Sequence, residues 1–119
     1  MIVKHESVDP TDFGGLQILD YTARLDGRSS FAVITVPAGV AHAEAWSRRS
    51  DKYYYVMTGG VEFTLDGRLH VLHAGDLCIV PKGRHFSYRN REPNEARICL
   101  VHTPSFDLES EVFMEDAGA

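Results

Sequence analysis

The chain has 119 residues, enough for one domain around one hydrophobic core. Hydrophobic residues make up 44% and charged residues 24%, which excludes wholesale disorder. Net charge is −5 and no basic run exceeds Arg48-Arg49, so nucleic-acid and anionic-membrane binding lack their electrostatic footprint.

Residues 1–14 mix charges with Pro10 and the pair Gly14-Gly15, and read as a mobile arm or a strand that docks late. No signal-peptide core follows Met1 and no apolar run reaches membrane-span length, so the cytoplasm is the expected compartment. Leu16–Tyr21 alternates in part and predicts a first strand. Asp26-Gly27 predicts a tight turn. Phe31–Val36 is rich in β-branched residues and stops at Pro37-Ala38-Gly39, a strand with a clear end.

The next segment, 40–47, has a small face (Ala41, Ala43, Ala45, Ser47) and a large one (Val40, His42, Glu44, Trp46). Tyr53–Met57 and Val61–Leu65 are strands. Asp66-Gly67 is a hairpin signal, and Leu69–His73 returns from it. Leu77–Val80 leads into Pro81-Lys82-Gly83. His85–Arg89 and Arg97–His102 are the last strands, and Thr103-Pro104 stops the second of them. Cys78 and Cys99 sit inside apolar runs and read as buried small hydrophobes, not as a disulfide. Residues 106–116 are acidic with scattered apolars. Leu108, Val112 and Phe113 suggest a weak helical face, or else a tail packed on the outside. Many short strands separated by turn signals predict an all-β sandwich or barrel, with almost no helix before residue 106.

Gly39, Gly59, Gly75, Pro81-Lys82-Gly83 and Asn90 stand at the spacing of two motifs, and on these residues the chain resembles a small single-domain cupin. The resemblance covers about residues 30–106 and implies a cupin double-stranded β-helix, a jelly-roll barrel occupying about 28–105. Residues 1–27 would be an N-terminal arm or strands and 106–119 a C-terminal tail. Metal-binding cupins hold their ion by three histidines and one glutamate. Here the glutamate position is Lys52, the histidine pair falls at Ala45 and Ser47 (or at Trp46 and Arg48 with shorter spacing), and the last histidine is Phe86. An ammonium repels a dication, at about 1 kcal/mol per pair of unit charges at 4 Å in water and more at lower dielectric. No metal and no other cofactor is therefore expected. The fallback is a displaced site using His42, Glu44 and His85.

Alternation places Lys52, Tyr54 and Val56 on one face, and Phe86, Tyr88 and Asn90 on another. The strict motif count turns the small face of 40–47 inward. A one-residue bulge would reverse this. The expected ligand pocket is Trp46, Ser47, Lys52, Tyr54, Phe63, Phe86, Tyr88 and His102. Lys52 has three readings: an ion pair at the mouth, with Asp51 or Glu44 near; an anchor for an anionic ligand; or a catalytic amine. The function expected is small-molecule binding or sensing without metal. The alternative is an isomerase, cyclase, lyase or dioxygenase, with Lys52, Tyr54, Tyr88 and His102 as candidate catalytic groups. A homodimer is expected through residues 1–25 and the outward Tyr53 and Tyr55, because open sheets leave edges to cover.

Overall fold

The computed structural model describes residues 1–25 and 27–114. Asp26 of the expected Asp26-Gly27 turn lies outside the described residues, as do 115–119 of the tail. The strands are β1 (Thr11–Phe13), β2 (Leu16–Asp20), β3 (Ser30–Val36), β4 (Ala41–Ser47), β5 (Asp51–Thr58), β6 (Gly60–Leu65), β7 (Arg68–His73), β8 (Leu77–Val80), β9 (Phe86–Arg89), β10 (Ala96–Thr103) and β11 (Glu111–Phe113). They form a six-stranded sheet, β1-β2-β3-β10-β5-β8, and a five-stranded one, β11-β4-β9-β6-β7. All recorded pairings are antiparallel. Spatial neighbours such as β3 and β10, or β4 and β9, are distant in sequence, which is the jelly-roll arrangement the resemblance implies. No helix among the described residues is long and apolar enough to cross a membrane.

Side chains on the inner faces make the core, and each set follows the two-residue period of its strand. Ile34 and Val36, Tyr54 and Val56, Phe86 and Tyr88, and Ala96, Ile98 and Leu100 are all buried. Tyr55, Leu77 and Ile79 face outward and are exposed. Cys78 and Cys99 are free thiols and only half-buried. The β6–β7 hairpin turns at Asp66 and Gly67, both at positive φ (49° and 80°), the backbone that an Asp-Gly pair supplies in a two-residue turn.

At the N-terminal end, residues 1–10 carry only a 3-10 turn at His5–Ser7, and the strands allowed for in 1–27 are β1 and β2, which extend the six-stranded sheet through β3. The weak helical face suggested by Leu108, Val112 and Phe113 is not formed. A 3-10 turn at Leu108–Ser110 leads into β11, which pairs with β4. Three alternating residues are too few for either period to show in sequence.

The motif residues outside the ligand positions have structural work. Asn90 is wholly buried, and its amide donates to the carbonyls of Val36 (2.9 Å) and Asn94 (2.8 Å). Gly59 has φ +75°, and a Cβ there would lie 2.8 Å from the Glu95 carbonyl oxygen and 2.9 Å from Ala96 Cα. At Gly67 (φ +80°) a Cβ would meet nothing within 4 Å. Gly67→Ala should therefore show backbone strain alone, about 1–2 kcal/mol. Gly59→Ala adds overlap with fixed backbone and should cost at least about 1 kcal/mol more. Urea unfolding of the two variants measures this, and equal losses would show that the close approach at Gly59 is immaterial.

Candidate active site

A cavity of about 320 Å³ opens between the sheets where β1, β2 and the segment 106–113 meet the barrel. Its walls are Phe13, Leu16, Ile18, Ile34, Leu100, Phe106, Leu108 and Phe113, and its polar groups include His42, Lys52, Tyr54, Tyr88, His102 and Glu111. Apolar walls with a few convergent polar tips are the usual make-up of a small-molecule site. A larger groove of about 720 Å³ crosses the outside of β4, β9 and β6. It is open to solvent, and its Arg91 and Glu62 are already paired at 2.6 Å.

The inward alternation of β5 delivers Lys52 and Tyr54 to the cavity. Lys52 is 3% exposed. Its ammonium pairs with Glu111 Oε1 and lies 3.0 Å from His102 Nε2 and 5.3 Å from the centre of the Phe86 ring. Burial pulls the lysine pKa below its ordinary value, and Glu111 opposes that pull. An ammonium can only donate, so His102 Nε2 accepts and the imidazole is neutral. Burial, with the neighbouring Lys52 charge, drives the His102 pKa down to about 3.

His42 enters the cavity because of a bulge. On β4, His42 pairs with Tyr88 and Ala45 with Phe86, so three steps on β4 match two on β9. The bulge reverses the parity of the strand. Ala45 and Ser47 face inward as the strict motif count predicts, and His42, from the large face, faces inward as well. Its ring stacks on Tyr88 (centroids 5.2 Å apart) and lies 5.1 Å from Phe86. Nδ1 is 2.6 Å from the Ala43 carbonyl oxygen. A carbonyl only accepts, so Nδ1 carries the proton and Nε2 keeps a lone pair, unpaired among the described residues. Burial lowers the His42 pKa, the Ala43 hydrogen bond raises it, and Lys52 lowers it further.

Tyr54 and Tyr88 are both 2% exposed. Burial raises both phenol pKa values, and at Tyr54 the neighbouring Tyr88 and Glu111 add to it. The Tyr88 hydroxyl and Glu111 Oε2 are buried without a hydrogen-bond partner among the described residues.

Of the expected pocket residues, Lys52, Tyr54, Tyr88 and His102 line the cavity. Phe63 and Phe86 do not; they stack behind the two tyrosines, with Phe63 and Tyr88 centroids 5.5 Å apart. Ser47 is buried, but its Oγ accepts from the backbone N–H groups of Arg49 and Ser50. Trp46 is corrected outright: on the outer side of β4 it stacks on His85 at 5.8 Å, under the Arg48 guanidinium. The fallback metal set comes apart. His42 is inside, while Glu44 meets His85 at 3.3 Å outside. The inward positions Ala45, Ser47, Lys52 and Phe86 offer no nitrogen or carboxylate donor set to a metal, and no three His, Cys, Asp or Glu side chains among the described residues converge to hold one. Glu111 is the residue that sequence reading missed. Its only signal was an acid next to Val112 and Phe113, inside an acidic segment where no single carboxylate stands out.

The family model for the cupin domain matches residues 32–102. No curated protein sequence matches the chain. Among solved structures, the Streptomyces nucleoside dehydratase Pac13 superposes with a TM-score of 0.84 at 22% identity, over 97% of this chain and 91% of that one. That protein has also been seen with uridine. KdgF from Halomonas gives a TM-score of 0.76 at 21% identity, over 90% of this chain and 96% of that one. A predicted oxalate decarboxylase of Thermotoga maritima gives 0.78 at 18%, over 87% and 99%. At these identities the likeness is one of fold.

Because His102 is held neutral down to about pH 3, the unfolded chain takes up a proton below its ordinary pKa of 6.5 that the folded chain refuses. Stability should fall as pH drops from about 6.5 towards 3, with His102 contributing up to about 1.4 kcal/mol per pH unit. His102→Gln should flatten that slope in urea titrations at stepped pH. An unchanged slope would mean that His102 is protonated in the folded state.

Proposed function

The chain belongs to the cupin family, and on that footing we propose that its barrel is a metal-independent lyase that removes water from a small carbonyl-bearing molecule. The observation that carries this reading is the state of His42: a neutral imidazole, proton fixed on Nδ1, with a free Nε2 lone pair at the wall of an apolar cavity. Such a group is a general base. Its lowered pKa makes it a weak one, so the proton it takes must be acidified by an adjacent carbonyl.

Two phenols supply the remaining chemistry. Their raised pKa values keep both protonated at neutral pH. Tyr54 donates a hydrogen bond to the carbonyl oxygen, where negative charge develops. His42 Nε2 takes the proton from the carbon beside the carbonyl. That electron pair becomes the new C=C bond as the β C–O bond breaks. The leaving hydroxide takes the Tyr88 proton and departs as water. Return of the proton from His42 to the Tyr88 phenolate restores both groups. The substrate loses one water and no redox partner is needed. The dehydratase activity of Pac13, on the same fold, supports the reaction class. Lys52 serves this reading through its ion pair, not as a free amine or a Schiff-base former.

The test uses β-hydroxy aldehydes and ketones in D₂O. Wild-type protein should remove the α-proton and release one water, the alkene product being seen by NMR and mass spectrometry. His42→Gln should lower kcat by about 10²–10⁴-fold with the fold retained. Since the His42 pKa is lowered, the basic form persists into mild acid, and the acid limb of the rate profile should fall below pH 6.5. Ligand-dependent thermal shifts without any loss of water from the ligand would leave the barrel a binding or sensing module.

A further inference from the structure

We propose that Glu111, with Tyr88, forms a hydroxyl-recognition subsite that selects an uncharged polyol, so that the substrate of the lyase reading above is a neutral polyhydroxylated molecule and not an anion. Two residues that line the cavity carry a buried polar atom with no partner among the described residues: Glu111 Oε2 and the Tyr88 hydroxyl. Leaving such groups unpaired is costly, so a ligand that meets them gains the difference. Their chemistry defines that ligand. A carboxylate oxygen only accepts, whereas a phenol both donates and accepts. One hydroxyl donating to Glu111 and another meeting Tyr88 satisfy both atoms.

Charge points the same way. Lys52, one reading of which is an anchor for an anionic ligand, is committed to Glu111 Oε1 and to His102. Among the described residues Asp20 is the other charged one lining the cavity, giving two carboxylates against one ammonium. An incoming carboxylate or phosphate would meet net negative charge beside the spare Oε2. Phe13 and Phe113, whose rings lie 5.6 Å apart at the wall, offer an apolar flank to a sugar-like ring. Glu111 is a specificity residue in this assignment, and Tyr88 adds recognition to its role as acid.

The experiment is ligand-observed NMR and calorimetry on two matched sets: uridine with its dideoxy analogue and its monophosphate, and methyl glucoside with its deoxy analogue and methyl glucuronide. At least one neutral hydroxylated member should bind, more tightly than its deoxygenated and anionic counterparts. Glu111→Gln and Tyr88→Phe should each weaken that binding by about 10-fold or more. The loss should shrink for the deoxy analogue, as coupled groups require. Tyr88→Phe guards against a folding artefact, since its hydroxyl has no hydrogen-bond partner among the described residues. Its melting temperature should stay level or rise. Binding of an anion over its neutral partner, no binding by either hydroxylated member at millimolar concentration, or binding unmoved by both variants would overturn the assignment. The readout is binding, so turnover unaffected by His42→Gln would remove the elimination reading and leave this one standing.

Discussion

The cavity depends on one buried ion pair, Lys52 with Glu111. It joins the start of β5 to β11, across two sheets. Two charges taken from water each carry a desolvation penalty of several kcal/mol, which only close contact and further hydrogen bonds offset. Lys52 has both: the carboxylate, and the neutral imidazole of His102. Neither partner can be understood alone. Without Glu111, Lys52 is a buried cation against an aromatic ring; without Lys52, Glu111 is a buried carboxylate with no counter-ion. The pair is a poor source of net stability, since an apolar replacement would serve the fold as well. What it does fix is where the tail ends and which oxygen is left over.

The second constraint is the bulge in β4. A regular strand shows the cavity either small side chains or large ones. One extra residue between His42 and Ala45 lets the strand do both in turn. Ala45 and Ser47 keep the barrel open at two of the positions where metal-binding cupins place histidines, and His42 reaches inside one step earlier, flat against Tyr88. The same break in parity sends Glu44 and Trp46 outward, where they pack and hydrogen-bond with His85. So one local irregularity places the candidate base and dismantles the alternative metal site.

Most of the fold was legible because its signals are local. Strand alternation placed Lys52, Tyr54, Tyr88 and His102 on the inner faces, and the positive-φ glycines marked the turns. The site was legible only where it sits on regular strands. Bulges leave no reliable mark in sequence, so the two faces of 40–47 could not be sorted, and Trp46 was placed in the pocket although it alternates with the inward Ala45 and Ser47. Phe63 and Phe86 had the right face but the wrong depth: alternation gives direction, not distance from the cavity. Glu111 was beyond reach for another reason. Its role comes from an ion pair 59 residues away in the chain, and nothing local in an acidic tail foretells which carboxylate will be buried.

These features together give the site its chemical character. Ammonium and carboxylate cancel inside a low-dielectric pocket. His42 and His102 are neutral, and Tyr54 and Tyr88 hold their protons. Metal-binding cupins polarise a bound substrate with the charge of an ion. Here the four inward positions of that site carry Ala45, Ser47, Lys52 and Phe86, and the one charge among them is already neutralised by its own chain. What remains are hydrogen-bonding groups with fixed proton positions: a lone pair on His42, a hydroxyl on Tyr88 and a spare oxygen on Glu111. In an apolar cavity such dipoles act more strongly than they would in water and need not reorient when charge develops. A site of this kind is suited to moving a proton on an uncharged molecule, and it is poorly suited to holding an anion.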